Sequence, residues 1–296
     1  MAYDKSDPRA SLATAPAPVA AGPFTAAAFY RFYDEPPDEV EPAPTWYARG
    51  QNFVLAYSEA ARGATFARPS QIDEYALLLP DERSEVVVEA QDERARVTGF
   101  TVTFVPPGRS RIEVMAAGRV VRLFTTRSAD LVERGGEFAE NLRIGALEAW
   151  PEPADGLRIR SYSLDVAPEP GRFGRIFRST TFMVNYTDVR EGPRDPTKLS
   201  PHHHDDFEQC SLVLEGEYVH HLRWPWTTNR LAWRADEHVR CASPSVATIP
   251  PPAIHTSEAV GAGTNLLIDI FCPPRLDFSE RPGWVLNAGD YPMPAT

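Results

Sequence analysis

The chain has 296 residues, 43% of them hydrophobic and 10% aromatic, which is enough apolar mass for one large core or two ordinary ones. Its formal net charge of −11 and the lack of any dense basic run give no electrostatic footing for a phosphate backbone, so nucleic acid is not expected as a partner. No run of about 18 apolar residues occurs, so no membrane span is expected.

The first 25 residues, rich in alanine and proline, lack the basic start and apolar stretch of a secretory signal. They are expected to form a disordered or extended arm, and the protein is expected to be cytoplasmic. Beyond them, 29 prolines act largely as punctuation between short β-branched and aromatic runs. These runs are EVVVEA (85–90), FTVTFVPP (100–107), RVVRLFTT (119–126), CSLVLEGEYV (210–219), PSVATIPP (244–251) and NLLIDIF (265–271). Short strands with frequent turns predict an all-β sandwich or barrel. One helix is expected over residues 128–142. Cys210, Cys241 and Cys272 have neither paired spacing nor an even count, and read as reduced, buried thiols.

The two halves repeat. FARPSQIDEYALLLPDE (66–82) lies without a gap under SPHHHDDFEQCSLVLEGE (200–217), with Glu74 and Tyr75 beneath Glu208 and Gln209. Further on, VTFVPPGRSRIEV (102–114) lies under ATIPPPAIHTSE, and VVRLF under LIDIF. Two matches in the same order predict duplicated β-domains, with the boundary in the proline-rich stretch near residues 150–172. The expected division is an arm over 1–25, a first domain over 26–160 and a second over 161–296.

Chemistry concentrates in the second half. On an extended strand His202 and His204 share a face while His203 points the other way. Gln209 follows after a turn, and His255 comes from a separate strand behind IPPPAI. Three imidazoles and an amide oxygen suit one divalent Fe, Mn, Ni, Co or Zn ion and leave positions open for substrate. Glu208 is the adjacent competitor for Gln209. The overlay places Arg68, Ser70, Tyr75 and Arg111 under the four ligand positions, a set unable to hold a cation, so the first domain is expected to be metal-free. His220, His221 and His238 have no ligand spacing, although alternation lets one of the first two face inward.

His202-x-His204, then Gln209, six residues, Gly216, and later Pro251 and His255 resemble the two motifs of the cupin superfamily, with glutamine where most members have glutamate. That resemblance implies two jelly-roll barrels in tandem, a bicupin, and selects Gln209 over Glu208 by its spacing to Gly216. A neutral ligand set would leave the ion's full charge available to an anionic substrate. The combination EQ…VLEGE, IPP…H and IDIFCPPR further resembles the small cupins that linearise unsaturated uronates with three histidines and one glutamine. It implies that Asp269 moves a proton and that Arg275 holds the substrate. Asp269 also stands out by itself, as a lone acid on an apolar strand where burial should raise its pKa.

The expected function is metal-dependent isomerisation, tautomerisation or ring opening of a small sugar acid or keto acid. A ferrous bicupin dioxygenase and a non-catalytic small-molecule binder are the alternatives. A homodimer is the expectation by family analogy.

Overall fold

The structure, a computed structural model, describes residues 24–295, so nearly all of the arm expected over residues 1–25 lies outside the described residues. The first part of the chain supplies β1 (Ala28–Arg31), β2 (Thr45–Arg49), β3 (Phe53–Ala60), β4 (Thr65–Gln71), β5 (Tyr75–Leu79), β6 (Glu85–Ala90), β7 (Glu93–Thr98), β8 (Thr101–Val105), β9 (Gly108–Ala116) and β10 (Gly118–Thr125). The second supplies β11 (Arg160–Ser163), β12 (Arg175–Arg178), β13 (Met183–Tyr186), β14 (Arg190–Glu191), β15 (Gln209–Glu215), β16 (Glu217–Arg223), β17 (Glu237–Ala242), β18 (Ser245–Ile249), β19 (Ile254–Ala259) and β20 (Thr264–Phe271).

They build two jelly rolls, each a large sheet over a small one. In the first, the order β11-β8-β5-β10-β3-β2 covers β4-β9-β6-β7. In the second, β1-β18-β15-β20-β13-β12, with β14 added to β20, covers β17-β16-β19. The all-β expectation of two tandem barrels describes this architecture. Two short strands cross the division expected at residue 160: β11 pairs with β8 in the first barrel, and β1 pairs with β18 in the second. Among the described residues no helix is long and apolar enough to cross a membrane.

Strand alternation explains why the central runs read as apolar on both faces. Ala76 and Leu78 of β5 and Val121 and Leu123 of β10 join Cys210 and Leu212 of β15 and Ile268 and Ile270 of β20 in one core between the two large sheets. The alternate residues Leu77, Leu79, Val120 and Phe124 turn into the first barrel instead. In the second barrel the same alternation delivers Gln209, Ser211 and Asp269 inward. Its small apolar clusters divide around these polar side chains.

The helix expected over 128–142 is only one turn, α1 (Ala129–Val132), continued by a 3-10 turn at Glu133–Gly135. Gly136, at φ 76°, leaves the helical region and ends it. The second helix, α2 (Leu276–Ser279), follows β20. The C-terminal tail packs along the seam between the barrels: Tyr291 is buried against Phe104, and its hydroxyl donates to Glu74 at 2.6 Å.

A candidate metal centre in the second barrel

His202, His204 and His255 are all buried, and a nitrogen from each lies within 4.8 Å of the others. Backbone pairing creates this convergence. The N–H of His202 donates to the carbonyl of His255 at 3.0 Å, and the N–H of His255 returns the bond at 2.7 Å, so two residues far apart in sequence stand side by side. Their Nδ1 atoms lie 3.0 Å from the Ser200 carbonyl and 2.9 Å from the Ala253 carbonyl, respectively. A carbonyl oxygen can only accept, so each Nδ1 holds the proton and each Nε2 presents a lone pair. His204 stacks on Phe207 at 4.3 Å between centroids. Burial first, and the charges of Arg275, His202 and His255 after it, hold its pKa well below the usual histidine value, which keeps it neutral as a ligand must be.

Gln209 completes the group. Its Oε1 lies 3.0 Å from His204 Nε2 and 3.1 Å from His255 Nε2. Its Nε2 donates to Asp269 Oδ1 at 2.8 Å and to Ser211 Oγ at 3.0 Å, which fixes the amide with its oxygen toward the imidazoles. The amide oxygen and the His255 lone pair are thus two acceptors brought face to face in a buried site, an arrangement that costs free energy unless a cation sits between them. The residues therefore fit a divalent ion held by three neutral imidazoles and one amide oxygen.

Glu208 is excluded from this set by the strand period. It turns the opposite way, into the seam, and accepts from the Asn52 N–H at 3.0 Å. Desolvation pushes its pKa up to about 7. Asp269 is buried on the wall of the site beside Gln209, as its place in NLLIDIF suggested. Arg275 stands elsewhere. It is buried behind His204, over the ring of Phe278 at 3.8 Å, and grips Asp277 with both Nε and Nη2. It is absent from the cavity wall, so the guanidinium expected to hold substrate is already engaged with a carboxylate of its own chain.

The cavity that opens onto the candidate metal centre has a volume of about 300 Å³. Three other arginines line it, Arg172, Arg190 and Arg194, together with the hydroxyl-bearing Tyr218. Sequence reasoning missed them because they lie on loops and on the two-residue strand β14, outside any motif. Arg172 is tied to Glu169 and to the carbonyls of Ala167 and Gly174. Arg190, on an exposed strand, has no ion pair within the described residues. Tyr218 shares the inward face of β16 with His220, the inward-facing member of the adjacent histidines, whose imidazole is fully buried and pushed down to about 3 by desolvation. His203 points outward toward Asp205 at 3.3 Å, as expected.

The first barrel shows what replaced a site. Arg68 pairs with Ser110 in register as His202 pairs with His255, so the counterpart of His255 is Ser110, not Arg111. Val105 and Ile249 occupy equivalent ends of β8 and β18, but the second half has one more residue before the ligand strand. That slip turns Arg111 to the outer face. Tyr75 and Ser110 share a hydrogen bond of 3.0 Å where Gln209 meets His255. Arg68 is held by Asp130 and Gln71, and the interior is filled by Tyr75, Phe124 and Phe66.

No protein-family model matches the chain, and no curated protein matches it in sequence. Solved structures do. A variant of Bacillus subtilis oxalate decarboxylase superposes with a TM-score of 0.58 over 86% of this chain and 79% of its own, at 13% identity. The oxalate decarboxylase of Lactobacillus farciminis, in complex with formate, gives 0.58 over 86% and 88% at 13% identity. AerE from Microcystis aeruginosa gives 0.55 over 83% and 99% at 10% identity. At such identities the likeness speaks for architecture, and with the paired barrels and the buried histidine cluster it establishes that this chain has the bicupin fold of the oxalate decarboxylases.

Proposed function

We propose that the chain is a metal-dependent enzyme that rearranges a small, oxygen-rich carboxylate, by isomerisation, tautomerisation or ring opening. The observation that carries the reading is the pair of acceptors at Gln209 and His255, locked by Asp269 and by the Ala253 carbonyl, which makes sense as a ligand set. An ion bound by His202, His204, Gln209 and His255 would supply Lewis acidity toward a carbonyl or hydroxyl oxygen. Asp269, on the cavity wall and anchored through Gln209 and Ser211, would take or return a proton beside that position. Arg190 and Arg194 give the cavity a cationic side that favours a carboxylate, and a volume near 300 Å³ suits a compact acid rather than a polymer. The all-neutral ligands leave the charge of the ion uncancelled, which strengthens that preference. The uronate-linearising cupins are the precedent for this chemistry, with the substrate-holding role moved from Arg275 to the arginines of the cavity.

A second reading is carbon–carbon cleavage of a small carboxylate, favoured by the architecture shared with oxalate decarboxylases. One experiment separates them. Protein purified without chelator is analysed for metals beside His255→Ala, and both are assayed with sugar acids, keto acids and oxalate under argon and in air. About one equivalent of metal, lost in His255→Ala, with oxygen-independent rearrangement, supports the first reading. Release of carbon dioxide or consumption of oxygen supports the second. A metal-free protein with unaltered ligand binding in His255→Ala would defeat both.

A further inference from the structure

The outer face of the small sheet of the second barrel carries a histidine pair that the centre described above does not use. His221 of β16 and His238 of β17 are direct cross-strand partners, with Nδ1 atoms 2.7 Å apart and ring centroids 5.0 Å apart. On the other side of the His221 ring, Nε2 lies 2.9 Å from Glu258 Oε2. A carboxylate accepts, so His221 carries its proton on Nε2 and presents a lone pair on Nδ1, toward His238. A carboxylate that orients an imidazole through its far nitrogen is the arrangement common behind metal-bound histidines. A cleft of about 200 Å³ opens beside the pair, with Asp236 on its wall. Asp236 is held anionic by the Arg223 guanidinium.

We propose that His221 and His238 form a second transition-metal site, with Glu258 as the positioning residue, selective for copper(II) or nickel(II). The distance narrows the geometry, and the affinity order of the metals narrows the class. With metal–nitrogen bonds of about 2.0–2.1 Å, two ligands at a right angle are separated by roughly 2.9 Å and two tetrahedral ligands by roughly 3.3 Å. The 2.7 Å between the two Nδ1 atoms needs only a small opening for the first geometry. Right-angled nitrogen ligation occurs in tetragonal copper(II) and nickel(II) and in octahedral ions generally, among which imidazole binds copper(II) and nickel(II) most tightly, whereas zinc(II) prefers the tetrahedron. Binding moves the proton of His238 from Nδ1 to its own Nε2, so that both rings stay neutral and both Nδ1 atoms present lone pairs, and water or an outside ligand fills the remaining positions from the cleft. The His221 side chain lies on the opposite face of its sheet from that of His255, a residue that also borders the cleft.

The test uses the full chain with His202→Ala and His204→Ala together as background, which takes two of the three imidazoles from the lumen and leaves the wall of the cleft intact. Titration with copper(II), followed by electron paramagnetic resonance, should show one equivalent in a tetragonal environment with nitrogen hyperfine structure. His238→Ala in that background should remove the signal, and Glu258→Gln should weaken binding about 10- to 100-fold. Thermal melts confirm folding; His238 is exposed, so its replacement is expected to leave the melt unchanged. Copper binding of undiminished stoichiometry in the His238→Ala protein, or a spectrum without nitrogen ligands, would overturn the proposal. So would a preference for zinc(II) over both copper(II) and nickel(II).

Discussion

Single side chains set the chemistry of the lumen. Asp269 is expected to act on the proton and not on the ion, since it bonds Gln209 and Ser211 from the wall. Asp269→Asn should therefore retain about one equivalent of metal while kcat falls about 10²- to 10⁴-fold; loss of metal in parallel with activity would assign it a structural role. Arg190 faces the same cavity from an exposed strand. Arg190→Ala should raise KM for a carboxylate substrate about 10-fold or more with little change in kcat, as removal of uniform binding does. Arg275→Ala tests the opposite expectation. Its effect should come through the packing of Phe207 and His204, seen as weaker metal retention rather than a changed KM. The residues of the candidate metal centre were legible in the sequence because their spacing is local, at 202, 204 and 209, or set by a proline-punctuated strand at 255. The cavity arginines were not, since loop residues reach the mouth only through the path of the folded chain.

The strand and turn elements owe their places to the pleat. Glu74 and Glu208 stand at equivalent positions before β5 and β15, and each turns out of its own barrel into a turn of the other. Glu208 accepts from Asn52 in the β2–β3 turn, and Glu74 accepts from the Thr180 N–H at 3.0 Å and from its hydroxyl at 2.8 Å in the β12–β13 turn. Gly50 makes the first contact possible: a Cβ there would collide with the Glu208 carboxylate and the Phe53 ring. Gly50→Ala should destabilise the fold by about 1–3 kcal/mol, read by denaturant unfolding, because it forces a buried carboxylate away from the backbone turn that satisfies it. The same pleat accounts for the slip between Arg111 and Ser110. One added residue before β19 exchanges inward and outward faces, so an ungapped overlay cannot tell which side chain enters the barrel.

At the scale of the whole molecule, the largest core lies between the barrels, so neither half is expected to be stable alone. Urea unfolding followed by tryptophan fluorescence and by circular dichroism should give one coincident transition; two separated transitions would show independent barrels. Glu74, at the seam, makes this stability depend on pH. Burial raises its carboxyl above the usual glutamate value, against the lowering effect of the Tyr291 and Thr180 donors. The folded chain therefore holds that proton more tightly than the unfolded chain. Its contribution is full below about pH 4.3 and is lost as pH rises through the higher folded value. The stability advantage of the wild type over Glu74→Gln should shrink as the pH is raised from acid toward neutrality; an advantage that grows with pH would contradict the assignment.

By itself the sequence determined the strand content, the duplication and the four residues around the lumen centre, because hydrophobic period and ligand spacing are properties of neighbouring positions. Tertiary structure alone decided that β1 and β11 cross between halves, that Glu208 and Arg275 are engaged within the protein, and that Arg190 and Tyr218 line one cavity with the candidate metal centre. The reason is physical: which edge a strand joins, and which charge it satisfies, depends on surfaces that exist only once both barrels have formed and packed back to back.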